Sequence, residues 1–489
     1  MNADPDAPAT VPRTPDATAR FLARAQELLG PRGFTSDPDL LGPWLTDWRG
    51  RYTGRALAMA SPASTAEVAA LVQLCGEYGV PIVPQGGNSG MAGGATPDPS
   101  GTAIILSLRR MNTIRALDPE AGQVVCEAGV VLQTLHEAAE AAGMRFPLTL
   151  GGKGSATIGG LIATNAGGTQ VLRHGTMRAQ VLGLEAVLAS GQVFDAMSVL
   201  KKDNRGFDLK QLLIGSEGTL GIVTAACLRL LPAPTARVTI WAGLSSITAA
   251  RSLLQRMSAR LGEALEGFEV VPAHCLESVL AHQSAARAPL EGTHAWNALI
   301  EFMSSRLDPA ALREAAEEAL GEALDEGLLD DAVFAANERQ ADEFWALRDG
   351  ISAAERALGP AMQHDISVPV DKMPEFILAA APALEAEFAG CRAVAFGHLG
   401  DGNVHFHVLA PKGAVRGQWE ENEGKAISAR VHDLVRDWGG SISAEHGIGQ
   451  MKVAELARLT DPVRLAMMRA VKEALDPAGL LNPGKLLKA

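Results

Sequence analysis

Four histidines stand in two short runs, Gly397-His398-Leu-Gly-Asp-Gly-Asn-Val-His405-Phe-His407 and Ser443-Ala-Glu445-His446-Gly-Ile-Gly449. Two imidazoles and a carboxylate with one open position form a ligand set for a catalytic divalent ion, and zinc is the usual occupant of nitrogen-rich sets. The first run reads as a hairpin, Ala393–His398 turning into Val404–Leu409. His398 then ends one strand, while His405 and His407, two apart on the other, share a face. Glu445 and His446 are adjacent, so in extended backbone they point apart; one can hold metal while the other faces substrate. Lone histidines such as His136 and His282 are read as structural.

A second kind of chemistry is written in glycine. The chain has 51 glycines, and twenty of them fall in five short segments, including both histidine runs. Pro84-Gln-Gly-Gly-Asn-Ser-Gly-Met-Ala-Gly-Gly94 follows a predicted strand and can curl its N–H groups into an anion nest. Gly151–Gly168 mixes glycines with hydroxyls and an Asn, and Ile214-Gly-Ser-Glu-Gly-Thr-Leu-Gly-Ile-Val-Thr224 repeats that chemistry beside a strand. Small residues let a backbone approach a flat ligand closely. Three such segments in one region predict a large cofactor. Neither the G-x-G-x-x-G spacing of a nicotinamide site nor a G-x-x-x-x-G-K-[ST] phosphate loop occurs.

The elements that must position these residues follow from periodicity. Strands are predicted at Arg55–Ala60, Val80–Pro84, Ala103–Leu108, Val124–Ala128, Leu182–Leu188 and Gly221–Leu231. A helix opened by the Ser64-x-x-Glu67 capping box and another over Leu132–Ala142 lie among them. Pro232-Ala-Pro234 marks a boundary. Beyond it strands (Val238–Ala242, Phe268–Val271, Asn297–Met303) alternate with helices (Ile247–Leu261, Pro309–Glu322, Glu338–Leu358), and a further helix covers Ala426–Trp438, an α+β pattern. The domains expected are a tail and helix over 1–38, a cofactor domain over 39–234, a cap domain over 235–440 and a C-terminal segment over 441–489 that completes the site. No repeat of 20 to 50 residues is visible.

Composition narrows the function. The 489 residues carry a formal net charge of −13, which excludes a charge-driven binder of nucleic acid. Five scattered cysteines with no C-x-x-C pair indicate neither an iron–sulfur cluster nor a disulfide framework and fit a reducing compartment. The Asp/Pro-rich start, MNADPDAPATVPRTPD, is expected to be a disordered tail, and Gly154–Leu172 is too polar to span a membrane. A cytoplasmic protein is expected, with peripheral membrane association left open. The turn-rich but apolar stretch Leu475–Gly484 is expected to dock on the fold.

The three glycine segments, PQGGNSGMAGG, ATIGGLIATNAGG and IGSEGTLGIVT, in that order resemble the vanillyl-alcohol-oxidase-type FAD domain. The resemblance runs from about Arg55 to Lys485. It implies an α+β fold with a two-part FAD domain and a substrate cap. It also implies a pyrophosphate loop at Gln85, Gly86, Gly87, Asn88, Ser89 and Gly90, with Ser155, Thr157, Gly160, Asn165, Glu217, Gly218, Gly221, Ile222 and Asn482 near the flavin. Relatives with covalent flavin carry a His in the first loop; this one has none, so noncovalent FAD is expected.

The histidine runs resemble the C-terminal half of the FAD-linked D-2-hydroxy acid dehydrogenases. By that likeness His398, His405 and Glu445 hold the metal and His446 is the base. Arg348, in Phe344-Trp-Ala-Leu-Arg-Asp-Gly-Ile-Ser352, matches the family's arginine for the substrate carboxylate, and Ser352 shares its helical face. Read alone, Arg348 is a surface ion pair with Asp342 or Asp349. The implied reaction is hydride transfer from a D-2-hydroxy acid to the flavin, yielding a 2-oxo acid. Three positions depart from the pattern for D-2-hydroxyglutarate: Ser352 replaces a Thr, Gln363 a Lys thought to meet the distal carboxylate, and His407 an Asn. D-Lactate-like monoacids and D-2-hydroxyglutarate are therefore both candidate substrates. The partners expected are the hydroxy acid and an electron acceptor such as a quinone or an electron-transfer flavoprotein, with a homodimer left open. The alternatives are a metal-dependent hydrolase, which leaves the glycine segments idle, and a silent binding protein.

Overall fold

The computed structural model describes residues 14–488. The Asp/Pro-rich start therefore lies largely outside the described residues; from Pro15 on it is helical to Gly33, broken at Gly30 (φ 66°, ψ 178°), with Thr14 as its N-cap. The chain divides into two compact units. The first comprises the chain up to Gly168, Gly175–Pro232 and everything from Glu445; the second comprises Thr169–His174 and Ala233–Ala444. The six residues Thr169–His174 thus leave the stretch that the sequence places in one domain. Arg173 explains the switch: its Nη1 donates to the buried Glu266 carboxylate and to the Met303 carbonyl, both at 2.9 Å, within the second unit.

In the first unit, apolar runs form a buried parallel set, Ala58–Ala60 beside Ile104–Ser107 beside Ile82–Gln85. The capping box holds the helix Thr65–Tyr78: Ser64 Oγ accepts the Glu67 N–H at 3.2 Å and Glu67 accepts the Ala63 N–H at 2.7 Å. Val68, Leu71, Val72 and Cys75 of that helix are buried. A five-stranded antiparallel sheet follows, ordered Ile114–Asp118, Gln123–Glu127, Ile222–Arg229, Val181–Val187, Val193–Ala196. The C-terminal stretch docks here: Leu480 and Leu481 are buried, Ile82 N donates to the Leu480 carbonyl at 2.9 Å, and Asn482 N to the Ile82 carbonyl at 2.8 Å.

The second unit is one antiparallel seven-stranded sheet. Its order is Asp331–Phe334, Ala236–Leu244, Trp296–Ser304, Leu265–Pro272, Arg392–His398, Asn403–Leu409, Ala361–Ser367. One face packs on Ile247–Leu261, Pro309–Asp325, Met373–Glu387 and Lys425–Asp437. The other face packs on Ala273–His282, Glu338–Asp349 and Ile351–Leu358. The single helix expected over Glu338–Leu358 is therefore two, joined at Gly350, whose φ of −68° and ψ of −18° keep the second nearly in line with the first. The edge strand Ala361–Ser367 has no counterpart in the sequence reading, because Gln363, His364 and Asp365 break its apolar alternation. All five cysteines are buried and free. Among the described residues no helix is long and apolar enough to cross a membrane.

Candidate active site

In the first unit the strand Ile82–Gln85 delivers the chain into the loop Gly86–Gly90. No N–H in Gly86–Gly90 makes a hydrogen bond within the described residues. Such a run of unengaged donors is what an anion nest requires. The loop is held by amide side chains: Gln85 Nε2 donates to the Trp44 and Ala95 carbonyls at 3.0 and 2.9 Å, and Asn88 Nδ2 to the Thr46 carbonyl at 2.9 Å. It is also held by close approach. A Cβ on Gly87 would stand 1.7 Å from the Ser155 carbonyl oxygen, so the first and second glycine segments touch through bare backbone. Thr157 Oγ1 is buried there without a hydrogen-bond partner.

Three other expected flavin residues, Asn165, Glu217 and Asn482, make structural contacts. Asn165, at φ 49°, ends the helix Ile158–Thr164, and its Oδ1 accepts from Thr176 Oγ1 and Arg178 N, both at 2.9 Å. The Glu217 carboxylate accepts the Ile448 and Gly449 N–H groups, each at 2.7 Å. Gly447 and Gly449 take φ of +75° and +54° in that turn, a region that favours glycine. Glu217 thereby fixes the backbone immediately after Glu445 and His446, which are half-buried in this unit. Asn482 Nδ2 donates to the Gly94 and Glu217 carbonyls at 3.0 and 2.7 Å, while its Oδ1 has no partner.

In the second unit the sheet register builds a polar ladder on the face under Glu338–Asp349. Cross-strand pairs put Glu269 beside His398, then Phe396, His405 and Asp365 on one rung, then Val394, His407 and Gln363 on the next. Arg348 reaches down onto it. Its Nε donates to Glu269 Oε2 at 3.0 Å, and its Nη2 lies 3.2 Å from His398 Nε2 and 3.0 Å from His405 Nε2. His398 Nδ1 is 2.7 Å from the other Glu269 oxygen. Arg348 is thus no surface pair with Asp342, which pairs with Arg237 instead; Asp349 lies 3.6 Å from Arg348 but is the outer, exposed partner. Burial alone would push the Glu269 carboxyl up, yet Arg348 and His398 outweigh it and hold Glu269 well below the usual carboxylate range. Burial, then Arg348 and His398, push His405 well below its ordinary value, so it is a neutral nitrogen donor.

Ser352 stands one turn beyond Arg348 in the second helix, and Glu355 follows at the next inward position. Glu355 Oε2 meets His407 Nδ1 at 2.5 Å, both residues buried. Glu269 and Glu355 are absent from the sequence reading, although two glutamates, Glu266 and Glu269, inside the otherwise apolar run Leu265–Pro272 are a visible signal. His136 is structural, bonded to the Leu148 carbonyl at 2.9 Å, and His282 lines an open surface groove of about 360 Å³ with Glu277 and Leu358, which gathers no comparable polar set.

Known families match both units: residues 56–196 match an FAD binding domain, and residues 233–486 match the C-terminal domain of FAD linked oxidases. The chain belongs to the FAD-linked oxidase family. This FAD-linked oxidase is 36% identical to a mitochondrial D-2-hydroxyglutarate dehydrogenase of Arabidopsis thaliana, over 94% of this chain and 80% of the relative. It is 37% identical to the Bos taurus mitochondrial D-2-hydroxyglutarate dehydrogenase (95% and 82% covered). A Xanthomonas citri D-2-hydroxyglutarate dehydrogenase is 36% identical (93% and 94% covered). Among solved structures, p-cresol methylhydroxylase with substrate bound has a TM-score of 0.75 at 17% identity, covering 96% of this chain and 97% of that one. An alkyldihydroxyacetonephosphate synthase reaches 0.70 at 17%, covering 98% and 86%. These neighbours share the two-domain, vanillyl-alcohol-oxidase-type fold. The open N–H run, the bare-backbone approach at Gly87 and the orphaned Thr157 hydroxyl fit an FAD in the oxidase's first unit.

Proposed function

We propose that this FAD-linked oxidase converts a D-2-hydroxy acid to the 2-oxo acid. One observation carries the reading: a guanidinium and two imidazole Nε2 atoms meet at one buried point, all within 3.2 Å, backed by Glu269. That set suits an α-hydroxy carboxylate, whose carboxylate takes a guanidinium fork while its hydroxyl needs a polarising neighbour and a base. The names of the relatives point to the same class and make D-2-hydroxyglutarate and D-lactate the first acids to test.

In this reading Arg348 binds and orients the substrate carboxylate, and Glu269 keeps Arg348 and His398 aligned. His446 receives the hydroxyl proton, a task suited to an imidazole near neutral pH, and Glu217 steadies the turn that carries it. Gln85, Asn88, Ser155, Thr157 and the loop amides hold the pyrophosphate side of the cofactor. Bound FAD supplies the two-electron acceptor. Two imidazole Nε2 atoms converging on one guanidinium nitrogen also fit a divalent ion in place of that nitrogen. His398, His405 and Glu445 are proposed to hold it, with zinc favoured by the nitrogen-rich set, and it would lower the hydroxyl pKa as metals do for bound water. A metal-dependent hydrolase would leave the FAD domain without a use.

Anaerobic mixing of the FAD-loaded enzyme with D- and L-2-hydroxy mono- and dicarboxylates, before and after chelation, tests this. Bleaching of the flavin by D-isomers is expected, with loss of the response and of bound metal in His405→Ala. A flavin that no 2-hydroxy acid bleaches would discard the reaction; bleaching that survives full metal removal would discard the ion.

A further inference from the structure

The ladder continues past Arg348. Along each strand, same-face residues are about 7 Å apart, so the rung after His405 is where a side chain projecting from a substrate held at Arg348 arrives. That rung holds His407, Gln363 and, from the helix above, Glu355. Arg348, Ser352 and Glu355 follow each other at four and three residues, one inward stripe of the nearly continuous helix pair.

The charges on this rung can be counted from contacts alone. His407 Nδ1 is bonded to Glu355 Oε2, and the second oxygen, Oε1, is buried without a hydrogen-bond partner. With one proton in that bond the pair is −1; with a second on His407 Nε2 it is neutral. Neither arrangement has a cation to spare. Gln363, the cross-strand partner of His407, offers an amide and no charge. Asp365 adds an acid on the preceding rung, where Asn403 donates to it at 2.9 Å. Arg348 is already matched by Glu269, and Arg392, the next cation along this face, is exposed one rung further on. A carboxylate placed here would lose its water and meet a carboxylate oxygen.

We infer that Glu355, His407 and Gln363 form the side-chain subsite and select a neutral, hydrogen-bonding side chain over a distal carboxylate. The inference rests on the proposed oxidation of 2-hydroxy acids. It sets this chain apart from the substrate in its relatives' names, and Glu355 is its specificity-determining residue.

The test compares two substrates of one length, D-2-hydroxyglutarate and its 5-amide, by anaerobic flavin bleaching of the holoenzyme. The amide is expected to give kcat/KM at least tenfold above the dicarboxylate. Gln363→Lys, which adds a cation beside the dyad, is expected to move that ratio tenfold or more toward the dicarboxylate. A wild-type ratio of one or below overturns the subsite assignment whether or not the variant folds, and so does a ratio that Gln363→Lys leaves unmoved. If no 2-hydroxy acid, D-lactate included, bleaches the flavin, the oxidation reading fails and takes the inference with it; if D-lactate does and neither of these two does, only the subsite assignment fails. If both do and the dicarboxylate is preferred, only the subsite fails.

Discussion

Glu217 and Glu269 are both buried glutamates, one in each unit, and their surroundings act on them in opposite directions. Glu217 meets backbone: two N–H groups at 2.7 Å hold it, and burial still pushes its carboxyl up. Glu269 meets side-chain cations, and Arg348 with His398 brings it far below its ordinary value despite full burial. The difference runs through both regions. The cofactor cradle is made of main chain placed by turns and close approaches, so its strength lies in shape. The ladder is made of side chains placed by strand register, so its strength lies in charge. A cradle should fail through sterics, and a ladder through charge removal.

The steric failure is the larger. In Gly87→Ala the new Cβ would stand 1.7 Å from the Ser155 carbonyl oxygen, and both partners are backbone, so no side chain can swing away. The variant is expected to purify without FAD, measured as the ratio of flavin absorbance to protein. Full occupancy would mean the two glycine segments can part without cost, and the cradle would not be shape-limited.

Charge removal comes next. Arg348→Ala leaves Glu269 buried with His398 as its remaining partner, and breaking such a pair costs roughly 3–5 kcal/mol. Loss of the carboxylate fork should lower kcat/KM by about 10²–10³, at 1.36 kcal/mol per tenfold. FAD content should stay near wild type, because this damage is confined to the ladder. Arg348→Lys, a point charge without the fork, should recover only part of the activity. Activity within twofold of wild type in Arg348→Ala would remove Arg348 from substrate binding.

The contrast between shape and charge also explains what could be read in advance. Alternation placed His398, His405 and His407 correctly, because strand geometry has a strict period of two and the hairpin turn fixes its register. The glycine runs announced a cradle, because only glycine allows an approach like that at Gly87. What escaped was long-range. Glu269 pairs with Arg348 across 79 residues, and Glu217 with Gly449 across 232. Nothing local in either stretch names its partner. Thr169–His174 escaped for a similar reason, since Arg173 finds Glu266 only after folding. The edge strand Ala361–Ser367 escaped because its inward face carries Gln363 and Asp365, chosen for the ladder rather than for alternation.

The smallest expected effect turns on the sign of the Glu217 shift. Burial raises that carboxyl, and the Ile448 and Gly449 N–H groups, Lys452 and Lys485 offset it only in part. A carboxyl whose folded pKa lies above its unfolded value, about 4.3, holds its proton more tightly when folded. Its contribution to stability is then complete below that unfolded value and fades as pH rises through the folded one. Glu217→Gln cannot ionise, so it removes this slope, and it keeps one oxygen for two N–H groups, a loss of about 1 kcal/mol. The deficit in Tm against wild type should therefore be largest near pH 4 to 5 and shrink toward neutral pH. Parallel Tm curves across that range would mean that the two N–H bonds and the lysines already balance burial. The cradle would then hold its glutamate as the ladder holds Glu269, by compensating charge, and the distinction between the two regions would rest on Gly87 alone.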